Sequence, residues 1–352
     1  MPLSILYVCG EDKATTKQRL LALKDLKIDF DIIYNSLLAA KVSFVTRIIR
    51  AIKLRVGYYP ERNNENAQMI KASSQKKYDI LFIEKGLSIR PATLKKIKAN
   101  QPDIKIISYF LDDIKVRTSN SYYYRKSLQL YNFHFTMNKW NVEELKAKGV
   151  ENVFHFNNAF STHAHHPVEV TKEERLEYGC EVAFVGTYEQ QRVDHIRYLA
   201  DNGISVKVWG WSRSANETNM EHPKIIMMNK HVYDDEYCKV VCSSLINLCF
   251  LRKVNRDTQT TRTFEIPAIG GFMLAERTED HLRLFEEGKE AAFFSSKEEL
   301  LKKVQYYLEH DEERKFVAAN GLKRSLNSNY SYQDQLKFII TTSIGNEAFG
   351  NS

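Results

Sequence analysis

The chain has 352 residues, 43% hydrophobic and 27% charged, with a formal net charge of +7 at pH 7. Single cores stop growing near ~250–300 residues, so this length predicts two domains, and this much apolar material excludes a disordered chain. The longest apolar runs, such as 104–110, fall far short of the ~20 residues of a membrane span, and the positive surplus suits an anionic partner without naming it.

The first residues, MPLSILYVCGEDK, pass from an apolar run straight into charged residues, with no basic n-region and no small-residue cleavage site. The expectation is a cytoplasmic protein without a signal peptide. Strand signals follow at 3–9, 30–34, 78–84, 104–110, 133–137 and 153–156, with helical patterns through Leu20, Leu23 and Leu26 and over 91–99 and 139–148. Such β-α alternation predicts a parallel sheet covered on both faces.

Residues 37–62 stand apart within this half. Phe44, Ile48, Ile49 and Ile52 share a helical face, Arg47, Arg50, Lys53 and Arg55 are interleaved, and no acid occurs from Asn35 to Tyr59. A basic amphipathic helix of this kind either packs on the sheet with a solvated rim or lies in the headgroup layer of an acidic membrane, giving peripheral contact at its inner face.

The strand at 104–110 is followed by Asp112 and Asp113, placed at a cleft edge, where a carboxylate could take a proton from an attacking hydroxyl or the pair could cap the next helix. Glu84 and Lys85 end the neighbouring strand and read as an ion pair facing the same cleft. Residues 157–170 show neither periodicity and are read as the interdomain linker. His163, His165 and His166 fall there and read as shaping the turn; no metal is expected.

The pattern then restarts, with strands at 181–186, 206–209, 244–248, 271–274 and 291–294, helices at 191–202 and near Thr260, and helical sequence from Lys297 onward. The prediction is an α/β protein of two Rossmann-like doubly wound domains, 1–160 and 171–330, facing a central cleft, with 331–352 returning to the first domain. The five cysteines, Cys9, Cys180, Cys238, Cys242 and Cys249, lie in or beside apolar segments and read as free thiols. Trp209 reads as core, and Trp211 either borders a nucleotide base or packs.

Two motifs carry chemistry. In EVAFVGTYEQQR, 181–192, a buried strand ends at Gly186 and a helix opens soon after, which offers free N–H groups to phosphate oxygens, with Arg192 as an added cation. In DTQTTRTFEIPAIGGFML, 257–274, threonines and Arg262 lead into a helix carrying Glu265, with Asp257 on the other side of the turn. A carboxylate beside a cleft can accept two hydrogen bonds from a ribose diol, while hydroxyls and Arg262 suit phosphate. The alternative is that the threonines cap the helix.

With these residues, INLCFLRKVNRDTQTTRTFEIPAIGGFMLAERTEDHLRLFEEGKEAAFF, 246–294, resembles the CgeB type of glycosyltransferase-like domain within the GT-B group, and YDILFIEKG and YFLDD agree. The resemblance implies a nucleotide-diphosphate sugar as co-substrate, no metal, and a glycan or lipid-linked acceptor. It implies that Glu265 binds the donor ribose as the second acid of an E-x7-E motif, that Asp257 stands at the first position, and that Arg192 meets the pyrophosphate. Where many relatives carry a second arginine after the glycine this chain has Thr187, so Arg252, Arg256 or Arg262 would meet the remaining charge. The expected donor set is Gly186, Thr187, Tyr188, Arg192, Trp211, Arg252, Thr261, Arg262, Thr263 and Glu265, with Asp112, Asp113 and Asp257 as catalytic candidates. Glycosyl transfer in surface polysaccharide or glycoconjugate assembly is the function implied. Nucleic-acid binding or modification, from the charge, and a non-catalytic sugar-binding homologue are the alternatives; the basic residues are scattered and no nucleic-acid module is recognisable, so nucleic acid is not the expected partner.

Overall fold

The computed structural model describes residues 3–10, 14–36, 48, 52–210 and 220–349. Trp211 and most of the basic stretch at 37–62 lie outside the described residues. The chain divides into two compact units, Met1–Asn157 with Val254–Arg256 and Gln333–Ser352, and Asn158–Lys253 with Asp257–Tyr332.

The first unit runs β1 (Ser4–Gly10), α1 (Ala14–Asp25), β2 (Asp29–Ser36), α2 (Glu65–Gln75), β3 (Ile80–Glu84), α3 (Pro91–Asn100), β4 (Lys105–Phe110), α4 (Tyr122–Ser127), β5 (Phe133–Thr136), α5 (Lys139–Lys146) and β6 (Val153–His155). The strands pair in parallel in the order β2-β1-β3-β4-β5-β6. Every residue of β3 is buried, as a sheet covered on both faces requires. Leu6, Val8, Leu81, Ile83 and Ile106 pack against Met69 of α2 and Leu94 and Ile97 of α3. Because β1 lies between β2 and β3, the order of strands reverses there, and in open α/β sheets ligands bind at the carboxyl ends beside such a switch.

A charged network is buried at that point. Arg19 of α1 forks onto Glu84 of β3, with Nε 2.6 Å from Oε1 and Nη2 3.0 Å from Oε2, and the Tyr7 hydroxyl donates to the same carboxylate. Burial, reinforced by Glu84, holds the Tyr7 phenol well above its ordinary pKa. This corrects the expected Glu84–Lys85 pair: Glu84 is taken by Arg19, and Lys85 pairs with Asp112. Residues next to each other at a strand end point to opposite faces, and the left-handed φ of +46° at Lys85 turns the chain further.

The second unit runs α6 (Lys172–Tyr178), β7 (Val182–Val185), α7 (Gln190–Asp201), β8 (Val206–Trp209), β9 (Ile225–Met227), α8 (Asp234–Ser243), β10 (Ile246–Cys249), α9 (Thr261–Ala268), β11 (Met273–Glu276), α10 (Glu279–Leu284), β12 (Ala292–Phe294), α11 (Lys297–Glu309) and α12 (Asp311–Asn327). Its six strands are parallel in the order β12-β11-β10-β7-β8-β9, with the switch between β7 and β10. The last helix, α13 (Tyr332–Ile344), belongs almost wholly to the first unit. Two Rossmann-like domains are therefore present, as the strand-helix alternation predicts. All five cysteines are free, and burial pushes the Cys9, Cys238 and Cys249 thiols up to about 12. Among the described residues no helix is long and apolar enough to cross a membrane.

Candidate functional site

In the second unit both sequence motifs converge on the carboxyl end of β7. Gly186 follows that strand and donates its N–H to the Trp209 carbonyl at 3.1 Å, while Gly210 follows β8 with φ +89°. A Cβ at Gly210 would sit 2.5 Å from the Gly186 oxygen, so glycine is required for the two strand ends to close on each other. Trp209 is fully buried, in agreement with its reading as core.

Arg192, in the first turn of α7, folds back under this loop. Its Nη1 donates to the Thr187 carbonyl at 2.7 Å and lies 3.2 Å from the Thr187 hydroxyl, and the guanidinium stands over the Phe184 ring at 5.7 Å. The residue is 5% exposed, and Nε is buried without a hydrogen-bond partner among the described residues. Burial pulls its pKa below the ordinary arginine range. In this state Arg192 shapes the turn from beneath. The cation that solvent reaches is Arg252, half-exposed, with Nε 3.1 Å from Glu189 Oε1. Tyr188 closes the loop locally through its hydroxyl, 2.8 Å from Gln190 Oε1.

The second motif begins with a cap. Thr260 precedes α9 and its N–H donates to Thr263 Oγ1 at 3.1 Å. The His281 Nδ1–H donates to the Glu276 carbonyl at 2.6 Å, leaving Nε2 to accept from the Thr263 hydroxyl at 2.8 Å. Thr263 is fully buried and its hydroxyl is spent on these contacts, whereas Thr261, the first residue of the helix, is half-buried. The capping reading accounts for Thr263.

Arg262 and Glu265 form the centre of the site. The Arg262 Nε donates to the Val185 carbonyl at 3.1 Å, Nη1 donates to Glu265 Oε2, and the guanidinium lies over the Tyr237 ring at 4.4 Å. Nη2 carries no hydrogen bond among the described residues, and 26% of the side chain is exposed. Burial alone would lower the Arg262 pKa, but the Glu265 charge beside it raises it overall. Glu265 itself is 2% exposed, with Oε1 3.6 Å from His165 Nε2. Because the Ser161 N–H donates to His165 Nδ1 at 3.0 Å, the imidazole proton sits on Nε2 and faces the carboxylate. Burial lowers the His165 pKa against the pull of Glu265, so the ring is neutral. The Tyr237 hydroxyl is buried without a hydrogen-bond partner among the described residues.

The apolar sequence behind Glu265 fixes α9 against the sheet. Pro267 lies inside the helix, and Gly271 just beyond it has no room for a side chain, since a Cβ would meet Val241 Cγ1 at 2.4 Å and Asn247 Nδ2 at 2.9 Å. Asp257 lies in the loop ahead of the helix, where its N–H donates to the Arg252 carbonyl at 3.2 Å. The two acids of the motif are thus on different elements. Leu251 and Lys253 of the same loop are tied to Glu276, the backbone N–H of Leu251 at 2.8 Å from Oε1.

The acids of the first unit are engaged. Asp113 is 1% exposed and takes a bidentate pair from Arg256, with Nη2 2.7 Å from Oδ1; its own N–H donates to Asn255 Oδ1 at 2.8 Å. Asp112 holds Lys85 and accepts from the Ser119 hydroxyl at 3.3 Å. Arg256, expected as a spare phosphate cation, also pairs with Glu144 at 2.9 Å and belongs to the first unit. The three linker histidines do not converge: His165 faces Glu265, and His166 Nδ1 is 3.2 Å from the Pro167 carbonyl. Among the described residues no group of three or more His, Cys, Asp or Glu is placed to hold a metal ion.

Sequence reasoning missed His165 and Tyr237 as members of the site. A signal for the first exists in Ser161 and His165, four apart, but Tyr237 reads as an ordinary apolar position of α8.

A family model described as glycosyl transferase-like matches residues 189–341, which includes Arg192, Asp257, Arg262 and Glu265. That stretch of the chain is similar to a glycosyl transferase-like domain. No curated protein matches it by sequence. Among solved structures, sucrose-phosphate synthase from Thermosynechococcus elongatus aligns at TM-score 0.64 and 11% identity, covering 97% of this chain and 98% of that one. Anabaena HepE, in complex with UDP and glucose, aligns at TM-score 0.63 and 10% identity, covering 97% and 100%. An α-glucosyltransferase in complex with UDP and a 13-mer DNA containing an HMU base aligns at TM-score 0.61 and 14% identity, covering 97% and 100%. At these identities the likeness shows the fold, which is GT-B. The matched stretch takes in α7, α9 and the loop between β10 and α9, with Arg192, Arg252, Asp257, Arg262 and Glu265, and begins just after Gly186, Thr187 and Tyr188.

Proposed function

We propose that the protein transfers a sugar from a nucleotide-diphosphate donor to an acceptor hydroxyl, with the donor held by the second unit. The observation that carries this reading is the hydrogen bond from Arg262 to the Val185 carbonyl, which joins the two motifs at the carboxyl end of β7. Arg262 Nη2, the amides of the 187–189 turn and Arg252 supply the donors and positive charge that a leaving diphosphate needs, and fixed donors of this kind act without reorganisation at the moment of reaction. Glycine at 186 lets a phosphate approach the backbone. Glu265 orients Arg262 and, as the resemblance implies, accepts from the donor ribose; Asp257 stands beside the transferred sugar. With Asp112 and Asp113 both paired to cations, deprotonation of the acceptor by a donor phosphate oxygen is the route we favour over either acid. These cations and amides neutralise the diphosphate without a metal. HepE and the α-glucosyltransferase were solved with UDP, which makes UDP-sugars the first donors to test. The finer proposal is a CgeB-type enzyme of surface glycan or glycoconjugate assembly, working in the cytoplasm or on the inner membrane face.

Thermal shift against UDP-, GDP-, dTDP- and CMP-sugars tests the reading, with Arg262→Ala in parallel. One donor should raise the midpoint of the wild type and leave the variant unmoved. If none shifts the wild type, the proposal fails. The net charge of +7 and the DNA-bound neighbour favour one other acceptor worth including, duplex DNA, whose use would show as steeply salt-dependent binding.

A further inference from the structure

In the first unit, residues 52–55 are helical and the chain turns out of them through Gly57, held at φ +82°. No side chain from Ile52 to Val56 is buried: Ile52 and Val56, four apart on one face, are 57% and 60% exposed, and Lys53, Leu54 and Arg55 are exposed with them. Ile48, four residues earlier in the predicted apolar row, is exposed as well. A helix packed on a sheet covers that row, so the packed reading of the basic amphipathic stretch fails at its described residues.

The fold sets this turn against a second stretch without acids, 114–142. The Tyr122 N–H donates to the Gly57 carbonyl, Arg117 Nη2 to the Arg55 carbonyl and the Tyr59 hydroxyl to the Thr118 carbonyl, each at 2.7 Å. Tyr58 stacks on Tyr122 at 4.7 Å and meets Tyr123 edge-on at 5.6 Å between centroids. Arg117, Arg125 and Lys126 are exposed here, with Lys126 Nζ 5.9 Å above the Tyr122 ring. Together with Lys53 and Arg55 they make no ion pair among the described residues. The acids next along the chain are taken: Glu61 pairs with Arg90, Glu65 accepts from two backbone amides and Ser88, and Asp112 and Asp113 hold Lys85 and Arg256. Beyond the second stretch, Glu143 pairs with Lys146 of its own helix and Glu144 with Lys115 and Arg256. Helix α3, which packs on α4, contributes lysines and no acid.

One partner has to satisfy two demands. Unpaired cations call for a dense negative surface, and exposed branched aliphatic side chains call for hydrocarbon. A second copy of the chain would set the same charges against each other, and nucleic acid would meet the cations and the tyrosines but leave the aliphatic row in water. An anionic bilayer meets both, with phosphates at its surface, acyl chains about 5–10 Å further in and tyrosine suited to the boundary. We propose that this face docks the protein on an anionic phospholipid bilayer, with Ile52 and Val56 entering the headgroup layer and Lys53, Arg55, Arg117 and Lys126 resting on lipid phosphates. The assignment does not depend on the transfer reaction.

Flotation of the full chain with vesicles of phosphatidylcholine alone, and of phosphatidylcholine with about 30% phosphatidylglycerol, tests this. The acidic vesicles should bind at least about tenfold more tightly than the neutral ones, and the difference should shrink as salt rises from about 0.1 to about 0.5 M. Lys53→Gln with Lys126→Gln should weaken binding roughly 25-fold, at about fivefold per cation. Ile52→Ser with Val56→Ser, which keeps every charge, should weaken it about tenfold. All four side chains are exposed, so both double variants should keep the circular dichroism spectrum and the nucleotide-sugar response of the wild type. A wild type that ignores acidic vesicles, equal affinity for the two vesicles, or full binding by either double variant would overturn the assignment. Salt-sensitive capture of duplex DNA by the wild type and the aliphatic variant alike, without vesicle binding, would give the patch to nucleic acid instead; dimerisation lost in the aliphatic variant, without vesicle binding, would give it to a second copy. Vesicle binding by a chain that answers no nucleotide sugar sinks the transfer reading alone.

Discussion

Arg256 reaches Asp113 from 143 positions away in sequence and grips both of its carboxylate oxygens, from a backbone held at φ +48°. A carboxylate that is 1% exposed and loses its cation is destabilising by about 3–5 kcal/mol. Arg256→Ala should therefore lower the denaturant midpoint of the first unit strongly. Asp113→Asn combined with Arg256→Ala should cost less than the two single losses added together. Asp112→Asn, at a partly exposed pair, should cost within about 1 kcal/mol. Turnover per folded molecule should survive Asp113→Asn; its abolition in a fully folded protein would make Asp113 the reacting acid after all.

Glu265 bears on two separable contacts. If its main task is to orient Arg262, Glu265→Gln should weaken UDP affinity about tenfold whether the ribose is intact or 2′-deoxy. If it grips the ribose diol, the wild type should discriminate against the 2′-deoxy donor and Glu265→Gln should lose that discrimination. Calorimetry with the two nucleotides decides between them.

His165 acts through Glu265 and is a positioning residue. His165→Ala should raise KM for the donor several-fold with a smaller change in kcat, because the loosened carboxylate holds Arg262 less well. His165→Gln, whose amide nitrogen can stand near the lost Nε2–H, should restore much of the KM. An equal fall in kcat for both variants, without a KM change, would remove His165 from this role.

Acid should destabilise the first unit before its carboxylates titrate. His134 is 1% exposed, with Nε2–H on the Leu128 carbonyl at 2.9 Å and Nδ1 facing the Tyr124 hydroxyl at 3.3 Å. Burial lowers its pKa from 6.5 to about 4. The folded pKa lies below the unfolded one, so stability is complete above pH ~6.5 and falls as the pH drops toward 4, by about 3 kcal/mol at about 1.4 kcal/mol per pKa unit. Urea titrations at pH 7, 6 and 5 should show the decline. His134→Gln, which cannot charge, should flatten it; an unchanged slope would acquit His134.

Where the chemistry of a segment is local, the sequence was readable. The buried runs ILYVC, ILFIE and IISYF became strands, as short apolar runs rich in β-branched and aromatic residues do in a sheet covered on both faces. Ile225–Met227 escaped notice because three residues at a sheet edge, with Ile226 46% exposed, carry no period. The site was half legible. Glycine at the end of β7 and Arg262 before Glu265 declare themselves by type and spacing. Arg192 reads as an outward cation on its helix, and only the Thr187 carbonyl and Phe184 ring explain why it turns inward. The partners of Asp113 and Glu84 depend on which helices cross which strands, and no local pattern encodes that.

The first unit is completed by residues from the far end of the chain. Leu336, Ile339 and Ile340 of α13 are fully buried, Gln335 accepts from the Tyr109 hydroxyl at 2.8 Å, and Phe338 meets the Phe135 ring at 6.1 Å between centroids. On the ribosome, the sheet that emerges first must wait for α13 until the entire second unit has been translated, on the order of ten seconds or more at about 5–20 residues per second. The nascent half-protein exposes an apolar trench throughout that interval, and a fragment cut at Asn157 would keep it permanently, a target for chaperones and a seed for aggregation.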